Sequence, residues 1–253
     1  MTQQPTHRLE HDLLGDREVP AGAYYGVHTL RALENFDITG ISIAVYPDLI
    51  RALAQIKKAA AQANRQLGLL DAKRADAIAA ACREVIDGQW HEQFVVDVIQ
   101  GGAGTSTNMN ANEVIAGRAN EILTGNRGGR DPVHPNDHVN HGQSSNDVIP
   151  TVLRVTALTG IRRRLVPALT GLKDSLARKA AEFSGIKKIG RTHLQDAVPM
   201  TLGQEFGGYA RMVELGVERL LAVGPRLKEL ALGGTAVGTG LNTHPEFAGR
   251  VIA

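Results

Sequence analysis

The 253-residue sequence has one cysteine, few aromatic residues and no long apolar run. The single cysteine, Cys82, excludes an internal disulfide framework, and its alanine-rich surroundings favour a small buried thiol. Aromatic residues make up 4% of the chain, which favours helices packed on helices over a sheet sandwich. No run approaches the roughly 18 apolar residues that span a bilayer, and the first ten residues lack the apolar segment of a signal peptide. We therefore expect a cytoplasmic protein without membrane contacts.

Charge of either sign is also nearly balanced. The 28 basic and 26 acidic residues give a net charge of +2 and are spread along the chain. Because nucleic-acid binding requires a concentrated basic surface, the sequence predicts no nucleic-acid partner.

Apolar residues recur at helical spacing in four stretches. The first two, 47–70 and 75–88, predict a pair of helices, with Gly88 as a C-cap. The third, 145–180, predicts one helix of about 36 residues, with Pro150 in its first turn and a kink at Pro167. The fourth, 202–230, predicts a further long helix. Between them, 94–100 is interpreted as either a short strand or an extended entry to a glycine turn.

Three polar clusters each lie beside a predicted helix start: GTSTNMN at 104–110, GQSSND at 142–147 and GRTHLQD at 190–196. Ser, Thr, Asn and Asp are the usual N-cap residues, so capping explains any one cluster alone. Three such clusters with few acids and one histidine indicate a site that binds carboxylates through neutral donors and helix dipoles. Both interpretations stay open on this pattern.

Nucleotide and metal binding are the rival interpretations. GGAGTST at 101–107 lacks the third glycine of G-x-G-x-x-G and the Lys-Ser/Thr of a P-loop, and long helices follow it. HPNDHVNH at 134–141 gathers histidines, but its order is not H-E-x-x-H, and Pro135 argues against a helix through it. We therefore predict a polar loop there and no metal site.

Five ordered segments carry a family resemblance: EHDLLGDREVPAGAYYGVHTLRALENF, QFVVDVIQGGAGTSTNMNANEVI, HPNDHVNHGQSSNDVIPT, GRTHLQDAVPMTLGQEF and ALGGTAVGTGLNTHPEF. Through them the sequence resembles the aspartase/fumarase superfamily, and aspartate ammonia-lyases most closely. The opening DLLGDREVPAGAYYGVHTLRA looks like an aspartase, whereas QSSND and GTGLNTHPEF suit a class II fumarase equally well.

The resemblance implies a mostly α fold, with an N-terminal lyase domain at 1–140 and part of a central long-helix bundle at 141–253. It implies a homotetramer in the full-length form, whose active sites each combine three subunits, with the SSN and TH segments coming from neighbouring chains. Similar enzymes remove a proton from Cβ of a dicarboxylate, form an aci-carboxylate and expel the Cα substituent to give fumarate. They need no organic cofactor, and L-aspartate and fumarate are the expected ligands.

The resemblance also assigns substrate-binding residues. Thr105, Ser144, Ser145 and Thr192 match the ligands of the β-carboxylate, and Asn146 and His193 match the residues that meet the amino group. Aspartases commonly have QSTND, so Ser145 keeps the hydroxyl and lacks a methyl group. A secondary dicarboxylate site of fumarases suggests further candidates, for which an ordinary loop is the alternative: His134, Asn136 and Asp137.

The family's general-base serine lies in a G-S-S-x-M-P-x-K-x-N-P loop, and no such segment occurs here. The sequence therefore assigns no catalytic residue, because an ordinary serine is not a base without activation. We expect an N-terminal portion of a longer ammonia-lyase, inactive and poorly soluble alone. The alternatives are a class II fumarate hydratase and a non-catalytic structural relative.

Overall fold

The structure is a computed structural model that describes residues 6–100 and 102–253. Residues 1–5 and Gly101 lie outside the described residues. They comprise half of the segment that lacks a signal-peptide pattern and the first glycine of the glycine turn. The chain is mostly α, as predicted. Its helices are α1 Val27–Asn35, α2 Pro47–Gln66, α3 Ala72–Ile86, α4 Thr105–Thr124, α5 Ser145–Gly160, α6 Val166–Glu182, α7 Leu202–Leu227 and α8 Phe247–Ile252. Its strands are β1 His7–Asp12, β2 Gly15–Pro20, β3 Lys187–Thr192 and β4 Gln195–Thr201.

Contacts between residues divide the chain into two units. One comprises Met1–Thr156 and Leu230–Ala253, and the other comprises Ala157–Glu229. This grouping does not follow the sequence-based boundary between 140 and 141, and the two domains inferred from the resemblance stay a prediction. Within the described ranges, no helix has both the length and the apolar content needed to cross a membrane.

The first unit is built around the predicted pair α2 and α3, which pack against each other. The shared core includes Ile50, Leu53, Ile78, Cys82 and Val85. At the end of α3, Gly88 has a φ of +98°, and the N–H groups of Gly88 and Gln89 donate to Val85 O and Glu84 O. This pairing is a Schellman motif, so Gly88 ends the helix as predicted.

Helix α4 is central to this unit although many of its side chains are polar. Asn108, Asn110, Asn112, Glu113 and Asn120 are all buried. Three of them, Asn110, Glu113 and Asn120, bind the backbone of surrounding loops, as buried polar groups generally do. Asn110 pairs with Val95 N at 2.9 Å and Gln93 O at 3.0 Å. Segment 94–100 is consequently an extended entry to the turn, with one isolated bridge, Ser42 to Asp97.

Residues 145–182 are helical without interruption, as predicted, but a π turn lies inside this helix. A π-helical turn, Ile161–Leu165, separates α5 from α6, and Pro167 is the second residue of α6. A proline clashes with the carbonyl four residues earlier, and the wider π turn accommodates that clash. Pro150 is the sixth residue of α5 and lies inside the helix, so its predicted place in the first turn is wrong.

The sequence did not predict the two β-hairpins. Strands β1 and β2 pair antiparallel, as do β3 and β4, where Thr192 is opposite Gln195. His193 and Leu194 form the second turn with φ of +47° and +61°. The GRTHLQD cluster is therefore the end of a hairpin and not a helix start. The predicted long helix after it is confirmed as α7, which Thr201 and Gln204 open with a capping box.

A substitution at Gly117 tests how closely α4 packs against the surrounding loops. A Cβ at Gly117 would overlap the Tyr24 carbonyl oxygen and lie 3.2 Å from Gly128 Cα. We expect Gly117→Ala to lower the free energy of unfolding by about 1 to 3 kcal/mol, because backbone must move. Gly171 of α6 is the control, since nothing lies within 4 Å of its Cβ position. Gly171→Ala should raise the free energy of unfolding by up to about 1 kcal/mol, and urea titrations measure both variants. Equal effects of both substitutions would contradict the tight packing at Gly117.

Candidate dicarboxylate site

The first predicted ligand, Thr105, is the first residue of α4 and is exposed. The preceding Gly104 has a φ of +72°, and a Cβ there would lie 2.9 Å from Ile149 Cγ1 of α5. Glycine thus allows the start of α4 to approach α5. Gln100 closes the turn, because its Oε1 accepts from Thr107 N at 2.9 Å and its Nε2 donates to Thr107 Oγ1 at 2.7 Å. These contacts hold Thr105 at the positive end of a helix dipole.

The second predicted cluster, SSND, caps the start of α5. Ser144 Oγ accepts from Asn146 N at 3.2 Å, and Ser144 N donates to Asp147 Oδ1 at 3.0 Å. Capping, the ordinary interpretation of this cluster, is therefore confirmed, and it leaves the Ser144 hydroxyl proton available to a ligand. The capping and binding interpretations are compatible.

Asn108 joins the two helix starts. Its Nδ2 donates to Ser145 Oγ at 3.1 Å and to Asn140 Oδ1 at 3.1 Å. Since Asn108 lies one turn after Thr105 on α4, the structure brings Thr105 and the serine pair to neighbouring helix N-termini of one chain. Within one chain, contacts between α4 and α5 thus place the SSN segment near Thr105. The expectation that the SSN segment of an assembled active site comes from a neighbouring chain stays a prediction.

Asn146 and Asp147 connect this junction to the glycine-rich loop after α7. Asn146 is exposed, and its Nδ2 donates to Ala236 O at 2.8 Å. Asp147 is buried, and its Oδ2 accepts from Gly233 N at 3.1 Å and Thr235 N at 2.8 Å. With Nδ2 engaged, the Asn146 side chain offers Oδ1, an acceptor, to a ligand. An acceptor suits an ammonium or a hydroxyl group.

Behind the serines lies a fully buried lysine, Lys57 of α2. Its Nζ donates to Asn140 Oδ1 at 2.8 Å and Gln143 Oε1 at 3.0 Å. Burial lowers the pKa of Lys57 to about 7, partly opposed by the negative charge of Asp147. Lys57 is thus the buried cation associated with this junction.

A cavity of about 420 Å³ lies beside Thr105 and Ser106. Basic side chains line it, His28, Arg31 and Arg130, and Asn136 lies at its wall. Arg31 donates to both oxygens of Asp12 at 2.8 Å, which lowers the pKa of that carboxyl to about 2. Arg130 has buried Nε and Nη2 atoms without a hydrogen-bond partner in the structure. Asn136 of the predicted secondary site and Thr105 therefore line the same cavity.

The HPNDH segment is not the plain loop expected. Residues Pro135–Val139 form a π-helical turn, for which Pro135 serves as the first residue. His134 caps it, because its Nδ1 accepts from Asn136 N at 3.3 Å and Asp137 N at 3.2 Å. A nitrogen that accepts these bonds carries no proton, so its 3.3 Å contact with Asp137 Oδ2 is not an ion pair. Burial lowers the pKa of His134, in accord with a neutral ring.

Thr192 and His193 belong to the second unit, where both are exposed. Thr192 ends β3, and His193 begins the hairpin turn. Their assignment to the substrate stays a prediction. Among the described residues, no cluster of three or more His, Cys, Asp or Glu side chains could hold a metal ion.

Sequence reasoning missed Lys57, Asn108 and Arg130. Lys57 carried a readable signal, since it lies four residues after Leu53 and three before Ala60, on the apolar face of α2. A charge on a buried face requires buried partners. Asn108 and Arg130 had no comparable signal, because the partners of Asn108 lie far along the chain and Arg130 lies in an irregular segment.

Comparison with known proteins supports the superfamily that the sequence resembles. The sequence profile of the Lyase family matches residues 15–253. Class II fumarate hydratase of Halobacterium salinarum is 61% identical over 95% of this chain and 51% of its own length. Aspartate ammonia-lyase of Helicobacter pylori is 51% identical over 95% of this chain and 51% of its own. A fumarate lyase:delta crystallin from Brucella melitensis, bound to cobalt, matches with a TM-score of 0.94 at 49% identity, over 97% of this chain and 53% of that one.

A helical fold with hydroxyl donors at joined helix starts, together with the profile match, defines the class. The chain belongs to the Lyase family, in the aspartase/fumarase superfamily. It spans about half the length of the curated relatives it matches. These relatives divide between fumarate hydratases and aspartate ammonia-lyases, so the comparisons do not specifically favour the ammonia-lyase predicted from the sequence.

The buried Lys57 predicts a pH dependence of stability. Its pKa falls from 10.5 to about 7 on folding, so the unfolded chain binds more protons between these values and stability rises with pH. Cys82, whose pKa burial raises from 9.0 to about 12, acts in the opposite direction only above pH 9. Between pH 7 and 9, the unfolding free energy of wild type relative to Lys57→Met should rise by up to about 1.4 kcal/mol per pH unit. Urea titrations across this range measure it, and a difference independent of pH would contradict a depressed pKa.

Proposed function

We propose that this chain supplies the carboxylate-binding part of a lyase that forms fumarate by elimination from a four-carbon dicarboxylate. The observation that carries the proposal is the pairing of two helix N-termini. Ser144 Oγ and Ser145 Oγ each accept a hydrogen bond from the protein, at 3.2 Å and 3.1 Å. Their hydroxyl protons are thereby left for a ligand carboxylate, beside Thr105 and the positive ends of α4 and α5.

Such a site suits a reaction in which negative charge grows on a carboxylate. Removal of the proton from Cβ transfers its electron pair toward the adjacent β-carboxylate, which becomes an aci-carboxylate dianion. Collapse of that pair forms the Cα–Cβ double bond and expels the Cα substituent with its bonding electrons. Hydroxyl donors and helix dipoles aimed at the carboxylate stabilise the dianion more than the substrate, and each such donor contributes about 3 to 4 kcal/mol.

The remaining groups of the reaction complete the proposal. Thr192 joins the β-carboxylate ligands, and Asn146 and His193 meet the Cα substituent. No residue of this chain is assigned as the base, since the family's serine loop is not in its sequence. The expected homotetramer would cover apolar side chains that are exposed on α6 and α7, among them Leu172, Tyr209, Met212 and Leu221.

The leaving group distinguishes two candidate activities. The first candidate is the interconversion of malate and fumarate, in which water is the leaving group. It is favoured because the chain is 61% identical to the Halobacterium fumarate hydratase. Deamination of L-aspartate is the second, favoured by the opening segment DLLGDREVPAGAYYGVHTLRA and by 51% identity to the Helicobacter ammonia-lyase. The Asn146 acceptor suits either a hydroxyl or an ammonium group.

We further propose that Asn136, with His134 and Asp137, borders a secondary dicarboxylate site. Asn136 lines the 420 Å³ cavity together with Arg130. The unpartnered guanidinium nitrogens of Arg130 supply the positive charge that such a ligand requires. The neutral His134 ring shapes the turn that presents Asn136.

Fumarate release identifies the leaving group. The protein encoded by the complete reading frame that contains these residues should produce fumarate from malate, and ultraviolet absorbance follows its appearance. Release from aspartate alone would reject the hydratase in favour of the ammonia-lyase. Release from neither substrate would reject the proposed function and favour a non-catalytic relative.

Thr105 tests the carboxylate site directly. Thr105→Val keeps the shape and removes the hydroxyl, and should lower kcat/KM by about 100- to 1,000-fold through loss of one transition-state donor. Thr170→Val is the matched control, because Thr170 Oγ1 of α6 donates to its own helix at Val166 O. The control should retain activity within about twofold. Equal activity of both variants would remove Thr105 from the site.

A further inference from the structure

Lys57 has an unusual set of partners for a buried cation. It is 0% exposed, and side-chain amides, Asn140 Oδ1 and Gln143 Oε1, accept both of its hydrogen bonds. Burying an ammonium group costs several kcal/mol, and neutral amides compensate it less than a carboxylate does. A residue needed only to fill the core at this position would be apolar, so the charge calls for another explanation.

The explanation lies in the direction of the hydrogen bonds. An ammonium group donates and cannot accept, whereas an amide can present either its oxygen or its nitrogen. Lys57 therefore fixes the oxygen of Asn140 and the oxygen of Gln143 toward itself. The opposite ends of both amides then bind the loop backbone, with Asn140 Nδ2 on Gln143 O at 3.2 Å and Gln143 Nε2 on Val139 O at 3.0 Å.

The orientation of the Asn140 amide in turn fixes the orientation of Asn108 beside the candidate site. Asn140 Oδ1 can only accept, so Asn108 must turn its Nδ2 toward it, at 3.1 Å. The same Nδ2 donates to Ser145 Oγ at 3.1 Å. Ser145 Oγ then accepts from the protein, and its own proton points elsewhere. The Asn108 Oδ1 atom is buried and has no partner in the structure, a cost consistent with an orientation imposed by Lys57.

We propose that Lys57 is a positioning residue that acts through Asn140 and Asn108 to keep the Ser145 hydroxyl proton available to the substrate carboxylate. The inference rests on the proposed function and adds a residue to it. Lys57 touches no substrate in this arrangement. The charged or titratable groups that influence it are Asp147 of α5 and Cys82 of α3. Asp147 binds the backbone at Ser144, Gly233 and Thr235, so it does not replace the amides as a hydrogen-bond partner.

The hydrogen bonds that lead from Lys57 through Asn140 and Asn108 to Ser145 form a relay, and a double-mutant cycle in the full-length enzyme tests it. Succinate, a dicarboxylate that cannot undergo the elimination, is the probe, and calorimetry gives its Kd. Lys57→Met and Ser145→Ala should each weaken succinate binding by about tenfold. The double variant should bind within about twofold of Ser145→Ala alone, because the lysine acts through that hydroxyl. Additive losses would overturn the proposal, since a general loss of structure adds to the loss of the hydroxyl.

Lys58, the next residue on α2 and only half-buried, is the matched control. Lys58→Met should bind succinate as the wild type does, and equal effects at both lysines would overturn the relay. If Lys57→Met fails to fold, Asn108→Ala interrupts the same relay while leaving both Lys57 hydrogen bonds in place. Its cycle with Ser145→Ala must then show the same coupling, and additivity would overturn the proposal.

Wild-type behaviour separates this inference from the proposed function. A wild-type enzyme that neither binds succinate nor forms fumarate would contradict both proposals. If the wild type is active and its Lys57→Met and Lys58→Met variants bind succinate equally well, the relay alone is contradicted and the proposed elimination is not.

Discussion

The first unit depends on one constraint, which is that the polar side chains of the buried helix α4 need hydrogen-bond partners inside the protein. Asn110, Glu113 and Asn120 meet it by binding the backbone of loops that would otherwise have no fixed position. Glu113 accepts from Gly26 N, His28 N and Thr29 N at 2.9 to 3.0 Å and so fixes the start of α1. Asn120 binds Val133 N at 2.7 Å and thereby the approach to the HPNDH turn. An apolar α4 would pack as well, but it would leave these segments without hydrogen bonds.

The same constraint explains how the candidate site is oriented. The hydroxyls of Ser144 and Ser145 can each accept and donate a hydrogen bond. The protein donates to them through Asn146 N and Asn108 Nδ2, which leaves their own protons for a ligand. Capping and ligand binding are therefore two functions of the same serines, and a cap that satisfies the backbone also prepares the donor. Preorganised donors of this kind avoid the reorganisation that water would need as charge develops.

Sequence patterns predicted what depends on local periodicity. Helices α2, α3 and α7 follow from apolar spacing, and Gly88 follows from helix-ending chemistry. The neighbouring starts of α4 and α5 were foreseeable only as separate polar clusters, because the contact between Gly104 and Ile149 that joins them is long-range. The π turn at 161–165 escaped prediction since apolar spacing is nearly the same through it. The β3–β4 hairpin escaped since its turn, His193–Leu194, lacks the Asn-Gly, Asp-Gly or Gly-Gly pair that marks a two-residue hairpin turn.

Lys57 shows how a site can use a charge without exposing it. Lys57 does not contact the ligand, because it is fully buried and its hydrogen bonds go to Asn140 and Gln143. A buried lysine behind two amides instead determines which atoms face the ligand. Its cost is paid in folding, as the depressed pKa of about 7 indicates. Since that cost falls as the pH rises, folding and carboxylate binding place opposite demands on the charge of Lys57. Folding favours the neutral amine, whereas only the ammonium form is unable to accept a hydrogen bond and so fixes which atom each amide presents.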